Sequence, residues 1–246
     1  MTKLDFYGLN SYNIKEKEYP GKLIVIEGAD GVGRTTQALM LRSWLESRGY
    51  AVVDTGAARS ELAGKGIKRA KEGHTLGPIT LNLFYATDFA DRFEKQVLPA
   101  LKAGFYVLND RYIYSLMARA FVRGIEKDWL KEIYGIALQP DLVIYLKIKV
   151  EDLIPRVLAS KGFNYWEAGM DLKLGQDLYE SFVNYQTKVV EELDKMSKQY
   201  SFIEIDANKE PQDVFLEIKN KIIDVLDLDE EQSDKPTPSK DEVDID

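Results

Sequence analysis

The sequence contains no cysteine. That absence removes disulfides, thiolate metal sites and thiol nucleophiles together, and it suits a cytoplasmic protein. Histidine is nearly absent as well. The single one, His74, lies in Glu72-Gly73-His74-Thr75 and reads as a solvated loop residue. No histidine-based triad or zinc centre can therefore be assembled. No apolar run approaches the roughly 20 residues needed to cross a bilayer, so no membrane association is expected, and the polar N-terminus does not read as a secretory signal. Positive charge is in deficit: 33 Lys and Arg stand against 41 Asp and Glu, a net charge of −8. Such a balance disfavours a nucleic-acid polymer as partner, although one local positive pocket could still hold a nucleotide.

What is present is ordinary in bulk and informative in order. At 246 residues and 45% hydrophobic, the chain can form one large α/β domain or two small ones. Short segments that are apolar on both faces read as buried parallel strands: Leu23–Glu27, Ala51–Thr55, Tyr106–Asn109, Leu142–Ile148 and Phe202–Asp206. Helical stretches fall around residues 35–48, 60–71, 79–102, 112–121, 128–137, 151–160, 175–198 and 211–226. Strand-helix alternation predicts a parallel sheet covered on both sides, with its ligands beyond the carboxyl ends of the strands. Residues 1–20 read as a polar, tyrosine-rich extension over the surface or partly disordered; 21–226 form one folded domain; 227–246 form an acidic tail too poor in apolar side chains to order.

Directly after the first predicted strand stands Gly28-Ala29-Asp30-Gly31-Val32-Gly33-Arg34-Thr35-Thr36, and a helical segment follows. A glycine-rich turn between strand and helix can wrap its backbone N–H groups around phosphate, and the helix N-terminus adds partial positive charge. Thr35 is placed to offer a hydroxyl to Mg²⁺. The usual lysine of such a loop is replaced by Arg34, which keeps the charge but presents a planar fork.

Charged residues follow the other strands. Asp110 and Arg111 end the third: Asp110 can hold Mg²⁺ waters or take a proton, Arg111 can grip phosphate bidentately, or the two form a structural ion pair with Asp110 capping the next helix. Arg59, after the second strand, suits an acceptor phosphate or a solvated loop. Phe84 and Phe89 read as core residues of a helix. Lys161 to Asp171, bounded by glycines and rich in aromatics, is either a mobile lid or an ordinary packed loop.

In order and spacing these motifs resemble the thymidylate kinase family of P-loop nucleoside monophosphate kinases, over about Gly21 to Leu226. The segments that carry the resemblance are residues 26–37, Arg59-Ser60 with Gly64-Lys65, Leu83-Phe84-Tyr85-Ala86, Asp110-Arg111-Tyr112 with Ser115, Pro140-Asp141-Leu142, and Ile205-Asp206-Ala207. The resemblance implies a three-layer α/β/α P-loop NTPase fold with a five-stranded parallel sheet, ATP and Mg²⁺ as donor and cofactor, dTMP as acceptor, and a homodimer. It implies that Gly28, Gly31, Val32, Gly33, Arg34, Thr35 and Thr36 hold the ATP phosphates, with Arg156 over the adenine. Thr35 and Asp110 would meet the metal; Arg34, Asp110 and Arg111 would serve catalysis. Asp30 would meet the acceptor sugar, Arg59 and Arg111 its phosphate, and Phe84 its base, under a lid at 160–170.

Three departures from that pattern bear on function. Arg34 replaces the loop lysine. Asp88 stands where a base-reading arginine is expected, with Arg92 one helical turn on. Neither the loop, with Gly31, nor the lid, with Tyr165-Trp166-Glu167, offers a second arginine. Arg119 and Arg123 are additional charges that either compensate or face solvent. Two alternatives follow: the same fold acting on another phosphorylated acceptor read by Asp88 and Arg119, or a nucleotide-binding protein with a degenerate kinase site.

Overall fold

The computed structural model describes residues 2–3, 7–8, 18–73 and 76–228. His74 and the acidic tail from 229 onward, and with them the expectations of a solvated loop and of disorder, lie outside the described residues.

Five strands make one parallel sheet: β3 (Lys22–Gly28), β4 (Val52–Gly56), β5 (Tyr106–Asp110), β6 (Leu142–Lys147) and β7 (Ile203–Asp206), in the order β4-β5-β3-β6-β7. Every predicted strand is present, each shifted by no more than one residue at either end. A separate antiparallel pair joins β1 (Thr2–Lys3) to β2 (Glu18–Tyr19) at the N-terminal edge. In the extension, Tyr7 donates its backbone N–H to Ala137 at 3.1 Å, and its ring packs edge-on against Tyr114 and Tyr200.

Strand periodicity explains the layers. Leu23 and Val25 of β3 point to one side with Val107, Val143 and Tyr145; there they meet α3 (Pro78–Arg92), α5 (Ile113–Val122) and α8 (Leu178–Gln199). Ile24 and Ile26 point to the other side with Leu108, Ile144 and Leu146, and meet α1 (Arg34–Ser47), α7 (Val150–Ser160) and α9 (Pro211–Leu226). Burial on both faces is why these strands read as unbroken apolar runs. The remaining α-helices among the described residues are α2 (Gly64–Gly73), α4 (Leu98–Lys102) and α6 (Lys127–Ile133). The predicted helix over 79–102 is corrected: it is broken into α3, a π-helical turn at Phe93–Val97 and α4. Pro99 has no N–H to give to the preceding turn and its ring crowds the carbonyl there, so the register widens.

One buried carboxylate joins sheet to helix. Glu27, fully buried on β3, accepts the backbone N–H of Tyr112 at 2.9 Å and of Ser115 at 3.3 Å. It therefore supplies the N-terminal acceptor of α5 that Asp110 was a candidate to supply; Tyr112 at the cap makes no side-chain capping bond, its hydroxyl donating instead to the carbonyl of Leu138 at 3.0 Å. Burial pushes the Glu27 carboxyl up despite Arg34 and the two N–H donors. Folded protein therefore holds this proton more tightly than unfolded chain, and the group's contribution to stability falls as pH rises above 4.5. Glu27→Ala is expected to lower unfolding free energy by about 2–3 kcal/mol, because two buried donors lose their acceptor. Glu27→Gln is expected to retain most of it and to abolish this fall with pH. Urea denaturation between pH 4 and 8 checks both.

Candidate active site

The loop between β3 and α1 is shaped by its glycines. Gly31 has φ +85° and Gly33 φ +103°, in the left-handed region that side chains disfavour. A Cβ on Gly31 would lie 2.5 Å from Val157 Cγ2, whereas one on Gly33 would meet nothing within 4 Å. The loop is thus packed against α7 on one side and open on the other, directly before the N-terminus of α1. That open side is where an anion would be held by backbone N–H groups and the helix dipole.

The sheet register brings the charged residues to this edge. Ile26 and Gly56 both pair with Asp110. Asp110 accepts from Arg34 Nε at 3.0 Å, from Thr35 Oγ1 at 2.7 Å and from Arg59 Nη2 at 3.4 Å. Arg59 also forks onto Asp54 at 3.2 Å. Arg34 is buried; it donates to the carbonyls of Gly28 and Ala29 and so ties the loop to β5. Asp30, inside the loop, is gripped by Arg111 and Arg119, with Arg34 Nη2 at 3.7 Å. Arg111 adopts φ +74° while its N–H is fixed by the carbonyl of Ile26 at 3.1 Å. A non-glycine residue held there by its surroundings is typical of a functional constraint.

Electrostatics follow from this packing. Burial pushes the Asp30 carboxyl up, but Arg119, Arg111 and Arg34 together hold it well below the usual 3.8. For Asp110 burial is likewise outweighed, by Arg34, the Thr35 hydroxyl and Arg111. Both are ionised at neutral pH. A single hydroxyl and a single carboxylate, Thr35 with Asp110, suit Mg²⁺, which takes few protein ligands and completes its shell with phosphate oxygens and water. No cluster of three or more His, Cys, Asp or Glu fit for a metal occurs among the described residues, so the pair offers no rival cage.

Three cavities open along the edge. One of about 430 Å³ lies between the loop and the start of the 160–170 segment, lined by Gly33, Arg34, Thr35, Arg59, Asp110, Arg111 and Lys161. A second, about 360 Å³, continues past Gly33 and Thr36 to Arg156, Asn208 and Pro211. A third, about 640 Å³, runs from Arg59 along α2 to Tyr85 and Trp166. The expected site residues Gly31, Gly33, Thr35, Thr36, Arg59, Arg111 and Arg156 thus all line cavities at one sheet edge. Val32, though largely buried, also lines the second cavity, and Gly28 shapes the loop from within.

Other residues lie elsewhere than expected. Asp88 is fully buried and accepts from the backbone N–H of Ala58 at 2.9 Å, of Ser60 at 2.8 Å, and from Arg92 Nε at 3.0 Å. It fastens the loop that carries Arg59 and has no access to a base. Arg92, 1% exposed and bonded to Thr55 Oγ1 at 3.3 Å, is the inner brace of that loop. Phe84 packs on α2, where a Cβ on Gly66 would lie 3.1 Å from its Cε1. The aromatic that faces the third cavity is its neighbour Tyr85. The signal was present in the spacing Leu81-Tyr85-Phe89-Phe93, a four-residue stripe on the inner face of the helix. Arg119 and Arg123 do not face solvent: Arg119 holds Asp30, and Arg123 holds Asp171 at 2.8 Å and the hydroxyl of Tyr185. The 160–170 segment is a docked loop. Trp166 Nε1 donates to the carbonyl of Lys71 at 2.8 Å, Ser181 to that of Ala168 at 2.7 Å, and Gln186 to that of Glu167 at 2.7 Å.

A phosphate loop, an adjoining Thr-Asp pair and arginines from two neighbouring strands, at the carboxyl edge of a five-stranded parallel sheet, define a P-loop nucleoside monophosphate kinase. The sequence model of the family "Thymidylate kinase" matches residues 26–218, and the chain belongs to the thymidylate kinase family. It is 39% identical to "Probable thymidylate kinase 2" of Saccharolobus solfataricus over 209 residues, covering 84% of this chain and 98% of that protein. It is 37% identical to "Probable thymidylate kinase" of Thermococcus kodakarensis over 147 residues, covering 56% and 72%. "Thymidylate kinase" of a Synechococcus strain is 32% identical over 154 residues, 57% and 74%. Among the described residues no helix is long and apolar enough to cross a membrane.

The two depressed carboxylates give a pH signature. Their ion pairs contribute fully above the unfolded value of 3.8 and are lost as pH falls through the lower folded values. Acid unfolding followed by circular dichroism is therefore expected to begin below about pH 4. Asp30→Asn leaves Arg111 and Arg119 without their counter-charge; it is expected to lower stability at pH 7 by about 3 kcal/mol and to shrink the difference between pH 7 and pH 3.

Proposed function

We propose that the protein transfers the γ-phosphoryl group of ATP to the phosphate of a nucleoside monophosphate, with dTMP to dTDP as the leading reaction. The carrying observation is the 430 Å³ cavity that the open loop shares with Arg59 and Arg111. In this reading the donor phosphates lie on the loop amides, and the adenosine extends through the second cavity past Arg156. The acceptor phosphate lies against Arg59 and Arg111, and its oxygen attacks the γ-phosphorus in line as the ADP oxygen leaves. Mg²⁺, held by Thr35 and Asp110, would neutralise charge on the donor phosphates. The chain's own part is positioning and charge neutralisation.

Release of Arg111 from Asp30 is part of the same reading: an incoming dianionic phosphate competes with the carboxylate for that guanidinium. Lys161, paired with Glu167 at 2.7 Å and lining the same cavity as Arg34, supplies a cation from the loop in which no arginine is found. A homodimer in the cytoplasm belongs to the proposal as well; exposed Leu62, Ile79 and Leu83 support self-association.

A second reading has one observation in its favour. The Arg34 guanidinium is turned onto the carbonyls of Gly28 and Ala29, an arrangement that suits a nucleotide-binding protein without turnover. ADP release in the presence of dTMP, ATP and Mg²⁺ separates the two. Turnover abolished by EDTA is expected, as is a drop in kcat/KM of about 10³-fold in Arg111→Ala with ATP binding retained. No turnover with any nucleoside monophosphate, in either the native protein or Arg34→Lys, would favour the binding protein.

A further inference from the structure

Tyr7, in the extension ahead of the sheet, takes no part in the site described above, yet its contacts are specific. Its hydroxyl is hydrogen-bonded to that of Tyr114, and its ring stands edge-on to Tyr114 at 6.0 Å and to Tyr200 at 5.3 Å between ring centres. Tyr200 and Phe202 also pack on Tyr114, at 5.4 and 4.7 Å. Backbone bonds hold the same segment down: Tyr7 N–H donates to the Ala137 carbonyl at 3.1 Å and Gly8 N–H to the Gly135 carbonyl at 2.9 Å. The crossing at Gly8 leaves no room, since a Cβ there would lie 2.8 Å from Gly135 Cα. An extension merely laid over the surface has no need of so close a crossing.

Both sets of contacts converge on the turn that follows Arg111. Tyr114 lies in the first turn of α5 and is fully buried. Ala137 is followed by Leu138, whose carbonyl accepts the Tyr112 hydroxyl at 3.0 Å. Tyr112 is held in turn through its N–H by Glu27. Arg111, directly ahead of it, keeps φ +74°, a conformation that persists only where the surroundings over-determine it. Three holds thus act on residues 112–114: Glu27 from the sheet, the 135–138 segment through Tyr112, and Tyr7 through Tyr114. The donor-side helices α1 and α7 pack on the opposite face of the sheet from α5.

From this convergence we infer that the N-terminal segment is a strap and Tyr7 a positioning residue: it fixes the start of α5, and through it the Arg111 guanidinium that receives the acceptor phosphate. The inference deepens the phosphotransferase reading above and rests on it for the identity of the acceptor. Acceptor binding is the step the strap governs, because the donor phosphates lie on a loop and helix across the sheet. A bond between two tyrosine hydroxyls suits a permanent hold. Burial pushes the Tyr7 hydroxyl up to about 12 and the Tyr114 hydroxyl up as well, so both keep their protons near neutral pH and the bond does not vary there.

The test is steady-state ADP release by the full chain, with KM measured separately for dTMP and for ATP, together with calorimetric Kd for dTMP on each variant. Tyr7→Ala is expected to raise KM and Kd for dTMP by about 10-fold and to change KM for ATP by less than about 2-fold. Gly8→Val, which lifts the same strap without altering the tyrosine, should do likewise. Tyr7→Phe, which keeps the ring and loses the hydroxyl bond, should give about 3-fold. Either of the first two variants suffices where the other does not fold. A merely structural role moves both KM values together or neither. Equal changes for dTMP and ATP, or none, therefore overturn the inference and leave the kinase reading intact. If the native protein binds dTMP but turns over no acceptor, the kinase reading fails and Kd for dTMP decides the strap: weakening by about 10-fold in Tyr7→Ala and Gly8→Val upholds it, and an unchanged Kd overturns it. If the native protein binds no nucleoside monophosphate, both fall.

Discussion

Charge compensation at the carboxyl edge of the sheet is the interaction on which the site depends. Two carboxylates, Asp30 and Asp110, stand among the guanidiniums of Arg34, Arg59, Arg111 and Arg119. Like-charged arginines this close would repel one another, and burial alone would favour neutral carboxyls. Together they form a stable lattice, because every cation has an anion within reach. Such a lattice is also a store of phosphate-binding groups, since a phosphate can replace a carboxylate at a guanidinium that is already held in place and partly desolvated. The fold's contribution is to fix the spacing: β3 and β5 are neighbours in the sheet, so a loop residue after one and a strand-end residue of the other share the same few ångströms.

A second layer holds that edge from behind. Glu27 pins the start of α5, and Asp88 with Arg92 pins the loop of Arg59. Neither touches a cavity where phosphate would lie. Both set the backbone from which Arg111 and Arg59 project, and a misplacement of about 1 Å in such groups can cost 10²-fold in rate. Buried polar groups with most of their bonds satisfied are rigid, which is the property a positioning layer needs.

Most of the fold was legible because its signals are local and redundant. The five strands are apolar on both faces, and the loop glycines sit between strand and helix. Residues that belong to sequence-local devices, Gly31, Gly33 and Thr35, lie where their pattern indicated. What escaped depends on which face of an element turns inward. Phe84 and Tyr85 are adjacent and equally aromatic; a 100° turn of helix separates the one packed on Gly66 from the one facing the cavity. Asp88 illustrates the other difficulty. A carboxylate on a helix carries no mark in the sequence of the two backbone N–H groups, 28 and 30 residues earlier, that it accepts. Long-range pairings of this sort are fixed by the packed tertiary structure alone.

The lid shows how one alternative is decided by contacts. Residues 161–171 could be mobile or packed, and glycines at 162 and 169 permitted either. Trp166 decides it: an indole N–H must find an acceptor when buried, and the carbonyl of Lys71 near the end of α2 provides one. Arg123 adds a bond to the Trp166 carbonyl at 3.3 Å and lies 5.9 Å from its ring. The segment is thereby fastened to α2 and α5 at once, across the third cavity.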